Sequence, residues 1–499
     1  MPTIEQQIAY AMLGSEFVSI LGTDAYKLAM AQAGAPLRDE IFNSTFREPG
    51  AYYVPFDLAA VATCLQPNDR VTIQEDAFLR RFESNGYDLT PAMLKALVRP
   101  LKFRAAPKGS WFFQGEPYLV TQGASSKASW MEPSILWLNF PIQIATAAMR
   151  GERFFKATCG SEHSIIALTL RACGIHDFQI QDCEAEYRQE CREHAEALVK
   201  ACKGANLFEV GMRAATCMEM HQIAVEECQK AGIKATSSLL MAFRLGMQPV
   251  GTTGHEHPER WGSDIAGYRA IRDMRPRSPS YLPDTFDADR IGLPAAVQVI
   301  KETPDRECFV RFDERDKIAR QLDWLYPQVK DLPVDFIFED GIRPPMVETI
   351  QAACDALGID MRRRHFGSGG YLVTFAGRHR FGRDDVQAVY KLSKTGTESV
   401  MKTSSPEKAS CPGNPVIFRR LKGHNVGALY TDCIGVIGQE GEPAPGGFAL
   451  LDPSDPNQML PAGQSVRHSI GRSFDTIMLQ RVCRERLEKM LQDFAPKDA

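Results

Sequence analysis

Between about residues 155 and 375, short apolar runs alternate with longer amphipathic segments, and this alternation constrains the chain more than any other feature of it. Residues 207–210, 308–312 and 334–338 read as buried strands. Segments 214–229, 315–325 and 346–357 carry apolar residues at helical spacing, the last with Pro344 and Pro345 near its first turn. Strand–helix units in series lay successive strands side by side in parallel, and several in a row favour a barrel over an open sheet. The stretch 232–262, GIKATSSLLMAFRLGMQPVGTTGHEHPERWG, shows the plan most clearly. A short strand (233–236) leads to three hydroxyls, Thr236, Ser237 and Ser238, where a helix (239–245) starts, and a second strand (248–252) follows. A hydroxyl-rich helix start presents free backbone N–H groups, which suits a phosphate. The next loop carries His255 and His257. Both loops are expected at the carboxyl ends of neighbouring strands, where parallel α/β folds bind ligands.

The two ends of the chain have a different texture. In LGTDAYKLAMAQAG (21–34), Asp24 can cap a helix and Gly34 can stop it. FNSTFR (42–47) alternates like a strand, and 111–121 reads as extended with a Gln114-Gly115-Glu116-Pro117 turn inside it. WMEPSILWLNFPIQIATAAMR (130–150) is strongly apolar, but Pro133 and Pro141 interrupt it, so it reads as a buried helix and its continuation. Beyond 386, AVYKLSKTGTESVMK (388–402) reads as a hairpin around Thr395-Gly396, 440–447 as a surface loop and 473–493 as a charged helix. The expectation is an α/β architecture: an irregular barrel over 150–385, flanked by an α+β domain built from residues 1–149 and 386–499.

The charge balance, 58 basic against 62 acidic residues, supports neither nucleic-acid nor membrane binding. The opening MPTIEQQIAY does not read as a secretory leader, and no apolar run approaches a membrane span. Thirteen cysteines are scattered without a CxxC pair, which reads as reduced thiols in a cytoplasmic protein rather than a disulfide framework.

Asp313 closes CFVRFD and Asp340 closes VDFIFED, each at the carboxyl end of a strand, as a site residue or a helix cap. Phe366-Gly367-Ser368-Gly369-Gly370 has the glycine content of a phosphate nest or of a simple turn. His255 and His257 form an H-x-H pair, for which no third metal ligand is identifiable from spacing. Tyr26 reads as a core aromatic or a ring-stacking residue. Arg213, Arg311 and Arg343 read as surface charges or as polyphosphate contacts.

Taken in order, the motifs resemble the nicotinate/nicotinamide phosphoribosyltransferase family along most of the chain. TDAYK (23–27), the 130–150 segment, FEVGMR (208–213), KATSS (234–238), GTTGH (251–255), DTFD (284–287), VRFD (310–313), EDG (339–341) and FGSGG (366–370) follow in the family's sequence, and the 388–402 hairpin resembles its nicotinate branch. The resemblance implies transfer of a 5-phosphoribosyl group from phosphoribosyl diphosphate to nicotinate in NAD biosynthesis, with Mg²⁺ and with ATP as co-substrate. The alternatives are nicotinamide as acceptor, since FGSGG resembles that branch, or a catalytically silent nucleotide-binding relative. It implies a homodimer with shared active sites, Tyr26 from the neighbouring subunit stacking on the pyridine and Glu209 facing the ring's carboxyl or amide. Arg213, Arg311 and Gly367, Ser368, Gly369 and Gly370 would hold phosphates, with Arg150, Thr236, Ser237 and Gly341 also at the substrates. Asp313 and Asp340 would meet ribose hydroxyls or Mg²⁺-bound diphosphate, and His255, not His257, would take a phosphoryl group from ATP. His257, before Pro258, is expected to be extended and to lead away. The chain departs from the family at Asp313-Glu314-Arg315-Asp316, which lacks a glycine, at Ala235 and Ser238, and at Glu256-His257.

Overall fold

In the computed structural model the described residues are 1–499 except 16–17, 68–69, 276, 378–380, 405–409, 421–431, 453, 455–466 and 494–499. Seven parallel strands, Asn206–Glu209, Ala235–Thr236, Gln248–Pro249, Ser280–Tyr281, Cys308–Phe312, Val334–Phe338 and Arg364–Ser368, neighbour one another in sequence order. The last pairs back onto the first, His365 with Asn206 through Ser368 with Glu209, so the sheet curls round as an irregular barrel. One seam, between Gln248–Pro249 and Ser280–Tyr281, carries no backbone ladder. Side chains span it: Thr253 Oγ1 donates to Ser280 O (3.3 Å) and the Arg275 guanidinium to Gly251 O (3.1 Å).

The helices outside the barrel form because their apolar residues recur at helical spacing. Ile318–Val329 buries Ile318, Leu322, Leu325 and Val329 on one face, and Pro344–Leu357 starts at its two prolines, where no intrahelical N–H is lost. The core strands bury Val310 and Phe312, Phe336 and Phe338, and Phe366 against these helices.

The flanking part interleaves both chain ends. Its five-stranded antiparallel sheet has the order Glu398–Ser399, Ala388–Thr395, Asp39–Phe46, Leu119–Ala124, Lys102–Ala105. Glu40 opposes Thr395 and Phe46 opposes Ala388, while Phe42 stacks on Tyr390 with ring centroids 4.9 Å apart. A four-stranded sheet contains Pro415–Arg420, and Arg419 is buried in an ion pair with Glu116 across it. The apolar 130–150 segment follows on from helix Ser125–Trp130 as two short helices, Glu132–Leu136 and Asn139–Met149, almost wholly buried, and the hairpin after Ala388 turns at Gly396. Twelve described cysteines are free thiols, and no helix among the described residues is long and apolar enough to cross a membrane.

Candidate active site

The carboxyl ends of the barrel strands open into a cavity of about 640 Å³, lined by Gly254, His255, Asp313, Asp340, Gly341, Gly367, Gly369 and Gly370. A second cavity of about 580 Å³ continues among the side chains facing the barrel axis, Phe309, Ile337 and His365, and shares Tyr26, Arg213, Arg311 and Glu339 with the first. The loops expected at one end of the sheet are at one end. Their close approach needs glycine: a Cβ at Gly367 would lie 2.8 Å from the Phe208 ring and one at Gly369 2.9 Å from Val210 O. After the Val334–Phe338 strand, Asp340 (φ 68°) and Gly341 (φ 73°) are both left-handed, and Asp340 holds that conformation at a steric cost typical of functional turns. Its Oδ2 accepts from Arg315 N (3.3 Å).

His255 sits in a tight group. Lys402 Nζ donates to its Nε2 (3.0 Å), the Asp284 and Asp313 carboxylates stand 3.7 and 3.6 Å from the same nitrogen, and Thr285 Oγ1 is 3.3 Å from Nδ1. Lysine offers only donors, so Nε2 carries the lone pair and Nδ1 the proton. Burial pushes the imidazole down to about 4, against the pull of Asp284 and with the help of Lys402, so it is neutral at physiological pH. Against burial, the Arg311 guanidinium holds the Asp313 carboxyl well below its usual range. His255, Asp284 and Asp313 are spaced as metal ligands would be, but Lys402 Nζ, 2.7 Å from Asp284, already supplies the group with a cation.

Tyr26 faces the mouth from the other side. Its hydroxyl donates to Glu132 Oε2 (2.8 Å), Lys27 Nζ lies 2.6 Å from the same oxygen, and Arg213 is centred 5.7 Å from the ring. Against burial, Lys27 first and then Arg213 hold the Glu132 carboxyl far down. Arg311 donates to Thr252 Oγ1 and Thr253 O (both 2.8 Å) and pairs with Asp313 (3.0 Å) and Glu339 (3.2 Å), while its buried Nε has no partner. A buried guanidinium with a spare donor is a ready contact for an anion.

Several expected positions do other work. Glu209 is fully buried and accepts from Thr236 Oγ1 (2.6 Å) and the Gly211 amide, with His221 Nε2 at 3.1 Å, so its carboxylate is consumed beneath the site. That same bond takes the Thr236 hydroxyl. Ser368 is fully buried and donates to Ile342 O (2.8 Å). Arg150 caps its helix and donates to Ala51 O (2.8 Å), outside the cavity, and Arg343 is an exposed helix cap. The expected phosphate cradle at 236–238 is filled by the chain itself: Leu239 N donates to Thr23 O (3.1 Å) and Ser237 Oγ to Asp24 Oδ1 (2.6 Å). His257 is not extended. It lies in the first turn of Glu256–Trp261, where Pro258 costs no hydrogen bond, and its ring turns away to Gly267 O (2.9 Å). Tyr26 lines the mouth of its own chain's barrel.

Lys27, Asp284, Lys391 and Lys402 went unnamed as site residues in the sequence, although each lies in a motif quoted above. Lys391, half-buried and near Arg47, is pushed down to about 7 by loss of solvent, and buried Glu259 up to about 8.

No protein-family profile matches the chain. Over 227 residues it is 24% identical to the nicotinate phosphoribosyltransferase of Bacillus subtilis (strain 168), and it spans 44% of that protein's length. Solved structures described as nicotinate phosphoribosyltransferases superpose on it. Those from Porphyromonas gingivalis (TM-score 0.52, 18% identity) and Vibrio cholerae (0.56, 16%) cover 76% and 81% of this chain and 90% and 92% of their own. A structure from Saccharomyces cerevisiae described as a putative member gives 0.58 at 15% identity, covering 80% and 96%. In fold, and in sequence over those 227 residues, the chain is a relative of the nicotinate phosphoribosyltransferases.

Proposed function

We propose that this chain transfers the 5-phosphoribosyl group of phosphoribosyl diphosphate to the ring nitrogen of nicotinate, releasing pyrophosphate. The observation that carries this reading is the convergence on one cavity of an aromatic ring, a buried arginine (Arg311) and a half-buried one (Arg213), two strand-end aspartates and a glycine-rich loop. The reacting carbon passes through an oxocarbenium-like state, so catalysis rests on positioning and on stabilising the departing diphosphate. Tyr26 stacks on the pyridine. Arg213, beside that ring, meets the acceptor's carboxylate, and this favours nicotinate over nicotinamide because Glu209, the group that would accept from an amide, is consumed elsewhere. Arg311, through its spare Nε donor, and the backbone of 367–370 take phosphate oxygens. Asp313 and Asp340 hold the ribose side. Asp313 and Asp340 are the residues that would hold Mg²⁺, which with the diphosphate would offset the charge on the leaving group.

ATP coupling belongs to the same proposal. A neutral imidazole whose Nε2 lone pair faces the cavity can accept a phosphoryl group, with Lys402 released from Nε2 to pair with it. A homodimer in the cytoplasm is the accompanying expectation. Incubation of the protein with phosphoribosyl diphosphate, Mg²⁺, ATP and each pyridine in turn should yield nicotinate mononucleotide. No mononucleotide from nicotinate, nicotinamide or quinolinate would overturn the reading. His255→Ala should abolish ATP hydrolysis and phosphate uptake, read by intact mass, and leave a slow ATP-independent transfer. His257→Ala should retain phosphate uptake.

A further inference from the structure

We infer that Glu339 is an internal counter-anion for Arg311. It holds the guanidinium while the site is empty, yields it to an incoming phosphate, and so sets how tightly the leaving diphosphate is held. This rests on the proposed role of Arg311 as a phosphate contact. Arg311 Nη1 donates to Thr252 Oγ1 and Thr253 O (both 2.8 Å), and Nη2 is shared by two carboxylates, Asp313 at 3.0 Å and Glu339 at 3.2 Å. Of the three nitrogens only Nε has no partner. In a guanidinium, Nε–H and one N–H of Nη2 point the same way and form the fork that takes a phosphate side-on. A phosphate arriving at Nε therefore gains its second bond only if a carboxylate leaves Nη2.

Glu339 is the one placed to leave. A single carboxylate already neutralises one guanidinium, and Asp313 makes the hydrogen-bonded contact while also standing 3.6 Å from His255 Nε2. Among the described residues the Glu339 side chain accepts no hydrogen bond and meets no cation other than Arg311. Arg213, the other guanidinium at the junction of the two cavities, is paired instead with Glu132 (3.4 Å) and Asp24 (3.8 Å). Burying a carboxylate to 7% exposure with one ion contact is costly, yet the fold makes room for it. Glu339 follows strand Val334–Phe338, and the neighbouring strand Arg364–Ser368 carries Gly367 beside it. A Cβ there would lie 2.9 Å from Glu339 Cγ and 3.1 Å from its Cδ. The side chain borders both cavities, which gives it space to turn away from Nη2.

Inorganic pyrophosphate with Mg²⁺ is the probe, with binding read by calorimetry at mildly alkaline pH, without turnover. Glu339→Gln keeps the size of the side chain and removes its charge, so pyrophosphate should bind about tenfold more tightly than to the wild type. The KM for phosphoribosyl diphosphate should fall while kcat does not rise, a split that a loss of packing would not give. Should that chain not fold, Glu339→Ala takes its place, with the same expected gain. In a crystal of the wild type with pyrophosphate, Arg311 Nε and Nη2 should both lie on phosphate oxygens, with Glu339 out of contact with Nη2. Glu339 still on Nη2 beside bound pyrophosphate would overturn the inference. So would a pyrophosphate affinity in the variant within about twofold of the wild type. Nicotinate mononucleotide formed by such a variant would leave the proposed transferase standing, whereas a wild type that binds no pyrophosphate and forms no mononucleotide would sink both.

Discussion

Glu209 closes its strand and Arg311 is next to last in its own, yet their surroundings give them opposite duties. Glu209 is closed in by Thr236, His221 and Gly211, against the cost of burial, and its carboxyl is held down by His221. Glu209→Gln should therefore cost stability, about 1–3 kcal/mol as the buried donors lose their anion, with little change in the KM for either substrate. A denaturant titration beside steady-state kinetics separates the two effects. Arg311 has a donor to spare, so Arg311→Lys, which keeps the charge but loses the fork, should raise the KM for phosphoribosyl diphosphate by about 10- to 100-fold. A KM unchanged within twofold would remove Arg311 from the phosphate contacts.

At the scale of elements, the mouth depends on how closely one loop approaches a helix start. The loop after Gln248–Pro249 passes so near the Tyr26 backbone that Gly251→Ala must move one or the other. The expected outcome is a lower melting temperature and a KM for nicotinate raised more than that for phosphoribosyl diphosphate, because the displaced residue is the one proposed to stack on the ring. Equal changes in both KM values would mean that the loop and not Tyr26 yields. The same packing explains why a helix start rich in hydroxyls is no phosphate site here: Leu239 N and Ser237 Oγ are taken by Thr23 and Asp24, Ser237 N and the Thr236 hydroxyl by Glu209, and Ser238 Oγ accepts from Met241 N.

For the molecule as a whole, the buried histidines impose a pH dependence. Burial holds His255 near 4 and His257 near 3, both below the unfolded value of 6.5. The unfolded chain thus binds two more protons as pH falls through 6.5, and stability present above that pH is lost toward 4. Glu259, raised to about 8, runs the other way, since it stays protonated in the fold while the unfolded carboxyl ionises above 4.5. Asp264, held well above its usual range by burial, runs the same way as Glu259, as do Asp24 and Glu339, so these carboxyls oppose the histidines in the wild type. Removing His257 removes one proton that the unfolded chain gains. The stability advantage of the wild type over His257→Gln should therefore shrink by about 1 kcal/mol per pH unit on acidification between pH 4.5 and 6.5, read from melting curves of the two proteins.

The alternation of strands and helices, the amphipathic helix faces and the loops carrying His255, Asp313, Asp340 and 366–370 were all legible in the sequence. Each is a local property, set by side-chain periodicity and turn chemistry over a few residues. Only the tertiary structure decided which polar groups remain available. Glu209, Thr236 and Ser368 have the residue types of a site, but neighbours brought in by folding satisfy them, and no spacing rule reports that. Lys402 meets His255 across 147 residues, and Tyr26 meets Gly251 and Gly254 from the far end of the chain. Such encounters arise when both chain ends fold into one sheet over the barrel, a consequence of long-range strand pairing that no local pattern encodes.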